Sequence, residues 1–193
     1  SSAKIMFKDF VCEEGVAIGG SMTVRVSMDG TIFKYLVEKL EVPSGYALEK
    51  IYYPFRNFFL EKSDAGYVTW PQHNGVIVPT NLDSVRGALQ KSGLLPKEVS
   101  GLSHRSAFTI EKMVGGEGWN FSMPWFGAAK GNSAYMAIVD TPDDASMYIT
   151  VADPRNKQRL VLSPIWEPSH GEFRYPRSIT YIFIGNGNYV SCL

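Results

Sequence analysis

Apolar and polar residues alternate with a period of two along much of this chain, the pattern of strands with one buried and one wet face. Met22, Val24, Val26 and Met28 point one way, and Thr23, Arg25 and Ser27 the other. Asp29-Gly30 follows, a pair suited to the left-handed backbone of a two-residue hairpin, and Thr31 to Val37 reads as the returning strand. Leu48 to Phe55 reads as a further strand, ended near Pro54. Gly66 to Trp70 and Gly75 to Val78 read as two short strands, joined through Pro71-Gln72-His73-Asn74. Ala107 to Val114, Ala134 to Asp140, Ser146 to Ala152, Arg159 to Ile165, Ile179 to Ile184 and Tyr189 to Leu193 continue the series. One segment departs from it: in Asn81 to Gly93, Leu82, Val85 and Leu89 recur at helical spacing, with a capping residue before them and Pro96 beyond. About a dozen strands and one short helix in a connection predict an all-β fold, a large antiparallel β-sandwich. Neither repeat nor linker divides it, so residues 1–193 read as one domain. Both ends fall inside or beside strand patterns, which predicts a piece of a longer chain.

Bulk properties narrow the classes. The chain is 45% hydrophobic and 20% charged, enough apolar residue for a core without metal or disulfide staples. A formal net charge of zero argues against a nucleic-acid partner, whose phosphates require a basic excess. No apolar run reaches the roughly 20 residues of a membrane-spanning helix, so no membrane partner is expected. Cys12 and Cys192 are too few for a disulfide framework; they read as buried thiols, with pairing left open. His73, His104 and His170 are widely separated, and no cysteine or histidine spacing makes a metal site, so neither metal nor cofactor is expected. Gly115-Gly116-Glu117-Gly118 lacks the lysine and strand–helix context of a phosphate loop and reads as a turn. Extracellular and cytoplasmic locations both remain open.

The candidate chemistry lies in acids and aromatic rings. Thr141-Pro142-Asp143-Asp144 has the residues of a turn: proline presets φ, and aspartates bond nearby backbone amides. Asp140, Asp143 and Asp144 are therefore read as turn residues rather than catalysts. Glu167 and Glu172, bracketing Pro168-Ser169-His170-Gly171, are the better candidate pair, although a charged loop is more often simply solvated. Hydrolysis of a glycoside takes two carboxylates roughly 5–9 Å apart, and opening a hemiacetal ring takes a general base and a general acid. Trp70, Trp119, Trp125 and Trp166 fall at strand ends or in loops. An indole can cover the C–H face of a pyranose, while sandwiches also use tryptophan to close their cores. Met123-Pro124-Trp125-Phe126-Gly127 reads as a loop leading to the strand at Ala134, with Trp125 and Phe126 as a contact surface. Arg56, Arg174 and Arg177 stand near Tyr-Pro pairs and read as strand-edge braces, with Arg177 pairing an acid of the turn at 140–144.

Three stretches in order carry a family resemblance: YPFRNFFLEKSDAGYVTWPQHNGVIVPTN (Tyr53 to Asn81), SMPWFGAAKGNSAYMAIVDTPDDA (Ser122 to Ala145) and PIWEPSHGEFRYPRSITYIFIGNGNYV (Pro164 to Val190). Together they resemble the N-terminal β-supersandwich domain of large bacterial glycoside hydrolases, the endo-α-N-acetylgalactosaminidase-like enzymes and related glycosidase-like proteins. The resemblance runs from about Lys4 to Tyr189. It implies a galactose mutarotase-like fold followed, in such proteins, by a (β/α)8 barrel that carries the catalytic carboxylates. On this resemblance the chain is a non-catalytic accessory domain whose partner is the barrel of its parent chain. Carbohydrate contact would fall to Trp125, Phe126, Trp166, His170 and Glu167. Two alternatives stand beside it: an autonomous carbohydrate-binding module using Trp125, and an aldose epimerase-like enzyme.

Overall fold

The computed structural model describes residues 1–11, 14–54, 58–61, 64–71, 75–81, 91, 108–113, 121–152, 159–188 and 190. Its strands are β1 (Ser2–Val11), β2 (Ala17–Asp29), β3 (Ile32–Glu41), β4 (Ile51–Tyr52), β5 (Phe58–Glu61), β6 (Tyr67–Trp70) and β7 (Val76–Pro79). The series continues with β8 (Phe108–Met113), β9 (Trp125–Lys130), β10 (Ser133–Val139), β11 (Ala145–Ala152), β12 (Arg159–Trp166) and β13 (Arg177–Ile184). Two sheets result, an all-β antiparallel sandwich. One has eight strands in the order β1-β2-β3-β13-β10-β9-β6-β7; the other is ordered β4-β12-β11-β8, with β5 also paired to β12. The expected helix at 81–93 lies outside the described residues except for Asn81, which is not helical, and Lys91, which is. The expected final strand, apart from Val190, which is not in a strand, lies outside them too, as do Cys12, Cys192, His73, His104, Arg56, Trp119 and the glycine turn at 115–118.

The alternation read at Met22–Met28 places Val24 wholly inside, and the Asp29-Gly30 turn joins β2 to β3 as expected, with Gly30 at φ +57°. Side chains on the inner face of the large sheet line up in rows set by register. One row runs Val78, Val68, Ala128, Tyr135, Phe183. The next includes Phe126, Ala137, Tyr181 and Phe33. Against these pack Ile51, Leu60, Met147, Leu160, Leu162 and Trp166 of the smaller sheet, all buried. Neighbouring rings meet mostly edge to face, as the quadrupole of an aromatic ring prefers: Tyr35 on Tyr181 at 5.8 Å and Phe126 on Tyr135 at 6.3 Å between centroids. Burial pushes the Tyr135 phenol well up, and burial, followed by the neighbouring Tyr135 and Tyr35, does the same to Tyr181.

Three expectations need correction. Met123 to Gly127 is not a loop leading to Ala134: Trp125 and Phe126 open β9, a central strand between β6 and β10. Of the strand expected over Leu48–Phe55, the described residues 48–54 form only Ile51–Tyr52, the pair that meets Ile165 and Trp166 of β12. The turn at 141–144 does form, with the Ala145 N–H donating to Pro142 O at 3.0 Å, but it does not close a hairpin. It carries the chain from β10 in one sheet to β11 in the other.

Close approach explains one glycine. A Cβ on Gly66 would stand 2.3 Å from the Ala129 carbonyl oxygen, so only glycine lets the segment before β6 lie against the end of β9. Thr80 fixes that segment: its amide donates to Gly66 O at 2.9 Å, and its Oγ1 accepts from the Gly66 N–H at 3.2 Å.

Candidate functional site

The crossover between sheets gathers most of the polar chemistry read from the sequence. β10 ends, β11 and β13 begin and β12 ends at this end of the sandwich, where Ala145 pairs with Trp166 and Val139 with Ile179. Trp125 is at the same end, opposite Ile138. At the centre is Arg177, a residue of β13 that shares the inward parity of Ile179, Tyr181 and Phe183. Only 1% of its side chain is exposed. It is no edge brace, since β13 lies inside the sheet between β3 and β10.

Burying a guanidinium is costly unless its charge and N–H groups are answered. Asp144 answers two of them: Nε donates to Oδ1 at 3.4 Å and Nη2 to Oδ2 at 2.5 Å. Nη1 donates to the Tyr175 carbonyl. The flat cation also covers two rings, with Cζ 3.9 Å from the Tyr175 centroid and 4.9 Å from that of Phe173. The expected pairing of Arg177 with an acid of the 140s turn is thus present, with Asp144 as the acid. Burial, and after it the hydrogen bond to and charge of Asp144, push the Tyr175 phenol up.

The rest of the turn is bound as tightly. Trp166 Nε1 donates to Thr141 O at 2.9 Å, and the Ser178 N–H donates to Thr141 Oγ1 at 2.9 Å. Asp140 Oδ2 accepts from the Ser178 and Thr180 hydroxyls, each at 3.0 Å, and faces Lys34 Nζ at 3.2 Å. Beyond it, the Glu167 N–H donates to Asp144 O at 2.8 Å. Glu167 Oε1 meets Lys50 Nζ at 2.9 Å, and its Oε2 accepts from Ser146 Oγ at 3.2 Å. Lys50 also lines a groove of about 350 Å³ with Met22, Leu40, Tyr46, Leu48 and Tyr52. Asp140, Asp144 and Glu167 are therefore committed to holding two sheets and their connections together.

The five predicted contact residues fare differently. Phe126 and Trp166 are each 1% exposed: Phe126 packs edge-on to Tyr135 and Tyr181, and Trp166 closes the core with its indole N–H answered. Neither presents a ring face on which a pyranose can lie, so as open contact surfaces both are withdrawn. Trp125 is half-buried, Glu167 half-buried and His170 exposed. His170 sits in a 3-10 turn, Ser169–Gly171, at φ +60°, and Gly171 O accepts from the Leu48 N–H at 2.9 Å. Glu172, the other half of the expected acid pair, is exposed and bonded to Arg174 at 3.1 Å. Sequence reasoning passed over Lys50 and Ser146, the partners that occupy Glu167. Among the described residues, no group of three or more His, Cys, Asp or Glu is placed to hold a metal ion.

The architecture defines the class first: an antiparallel sandwich of one large and one smaller sheet. Among solved structures it superposes on the α-N-acetylgalactosaminidase NagBb from Bifidobacterium bifidum. In the Gal-NHAc-DNJ complex of that enzyme the match covers 100% of this chain and 29% of that one, at 14% identity and TM-score 0.62. In its GalNAc complex the coverage and identity are the same and the TM-score is 0.60. A galactose mutarotase related enzyme from Lactobacillus acidophilus aligns over 96% of this chain at 12% identity, with a TM-score of 0.41 that carries no argument. No family model matches the chain, and no curated protein matches it in sequence. At such identities the likeness is one of fold. The chain spans under a third of the length of the glycosidase it matches.

Proposed function

We propose that this chain is a non-catalytic accessory domain of a larger glycoside hydrolase-like protein, packing against the catalytic barrel of its parent. The observation that carries the reading is the superposition of all of this chain on 29% of a glycosidase. A domain that fills so small a share of an enzyme has a neighbour within the same chain to pack on.

The surface supports that reading. β1 is exposed along almost its whole length, and the inner face of the large sheet continues onto it, where Ile5 pairs with Val24 and Phe7 with Met22. Ile5, Phe7 and Met28 are each 41–43% exposed, although Val24 and Val37 on the same face are fully buried. An apolar shelf continuous with a core is what a second domain covers. In this reading the half-buried Trp125, with Glu167 and His170 at the same end of the sandwich, is where the domain meets the glycan, and Arg177 and Asp144 keep that end rigid.

The nucleotide sequence beyond the Leu193 codon tests the proposal. It is expected to continue in frame with strands and helices in alternation, the pattern of a (β/α)8 barrel. A stop codon there, with no barrel encoded on either side, would remove the partner and the proposal with it.

A further inference from the structure

We propose that a second cleft, at the opposite end of the sandwich from Arg177, binds a single neutral polyhydroxylated ring. The cleft has a volume of about 320 Å³ and opens beside the β9–β10 hairpin. Leu60, Tyr135 and Phe183 form its apolar wall, and Asp64, Lys130 and Ser133 stand among its polar residues. Binding pockets run from roughly 300 to 1,000 Å³, so this one suits one ring rather than a chain of them.

The polar groups are held in place before any ligand arrives. Asp64 Oδ2 accepts from the Glu61 N–H at 2.7 Å, and Oδ1 meets Lys130 Nζ at 2.7 Å. Behind it, Ala65 takes a left-handed φ of +48° and Gly66 lies where no Cβ fits, so the backbone sets the direction of the acid. The Lys130 ammonium, and after it the Glu61 amide, hold the Asp64 carboxyl below the usual carboxylate range. Asp64 is thus a carboxylate whose oxygens each keep a second acceptor direction. Two neighbouring hydroxyls of a ring can donate to them. Lys130, 58% exposed, has further N–H bonds to give to a third oxygen. Its charge also cancels that of Asp64, so the pair gains nothing from a net charge on the ligand and would lose its own compensation to one. The Phe183 ring and the Leu60 side chain receive the C–H face that such rings present. The inference rests on this cleft alone and stands whether or not the chain is joined to a barrel.

Chemical-shift titration of the 15N-labelled chain is the test, with galactose, glucose and myo-inositol as neutral probes and glucuronate and glucosamine as charged ones. At least one neutral probe should give saturable shifts at millimolar concentration, confined to the amides of residues 64–66 and 130–135. Asp64→Asn and Lys130→Met should each weaken it by about tenfold, the scale of one charge-assisted hydrogen bond. Lys130 is exposed enough that its replacement leaves the fold intact, so a null result there cannot be put down to unfolding. The proposal is overturned if no neutral probe saturates, if the shifts lie elsewhere, if a charged probe binds more tightly than every neutral one, or if Lys130→Met binds as well as the parent.

Discussion

Arg177→Ala is expected to lower the unfolding free energy by about 3–5 kcal/mol, the cost of leaving one member of a buried ion pair alone. The residue to be left is Asp144, whose side chain is only 10% exposed, on the turn that joins the two sheets. The substitution also removes the cation that lies over the Phe173 and Tyr175 rings. A double variant, Arg177→Met with Asp144→Leu, removes both charges and keeps the volume, and should recover most of the loss, since apolar pairs commonly replace buried ion pairs without penalty. Urea unfolding reads both, as a fall in midpoint at constant slope. An Arg177→Ala chain within about 1 kcal/mol of the parent, the scale of an exposed pair, would show that the bridge holds little.

Two adjacent aromatics should behave in opposite ways. Phe126→Ala is expected to cost about 3–5 kcal/mol, a large part of the 5–15 kcal/mol typical of a whole domain. Its ring is 1% exposed and meets Tyr135 and Tyr181, each at 6.3 Å, so truncation opens a cavity and removes two edge-to-face contacts. Trp125, half-buried at the first position of β9, should cost clearly less on the same substitution. Thermal or urea melts of the two variants decide it. A Trp125→Ala loss equal to or above that of Phe126→Ala would mean that the core lies on the other face of this strand.

What was legible in the sequence was periodicity. The Met22–Met28 alternation and the Asp29-Gly30 turn follow from local chemistry, as does the short pair read at 66–70 and 75–78, which the structure places at Tyr67–Trp70 and Val76–Pro79. β9 was hidden because Pro124 and Gly127 punctuate it and its buried residues include two alanines, which carry little hydrophobic signal. The turn at 141–144 was recognised, but proline and aspartate make the same local turn whether the next strand joins the same sheet or crosses to the other. Arg177 was misplaced at a strand edge for want of attention to parity: it occupies an apolar register position two residues before Ile179, a signal that the sequence does contain. At the candidate site, the pairing of Arg177 with an acid of the turn was legible, but the engagement of Glu167 was not. Lys50 and Ser146 are 117 and 21 residues from Glu167, and only the pairing of β4, β11 and β12 brings them to it.

The central claim is that the acids and rings of this chain hold a scaffold and that turnover belongs to another domain. Turnover by the isolated 193-residue chain tests it most directly, with aryl α-N-acetylgalactosaminide for hydrolysis and freshly dissolved α-galactose for anomer interconversion. The account predicts that both reactions proceed at the rate of buffer alone. Acceleration of either one, abolished by Glu167→Gln or by replacing His170 with a folded chain retained, would contradict it.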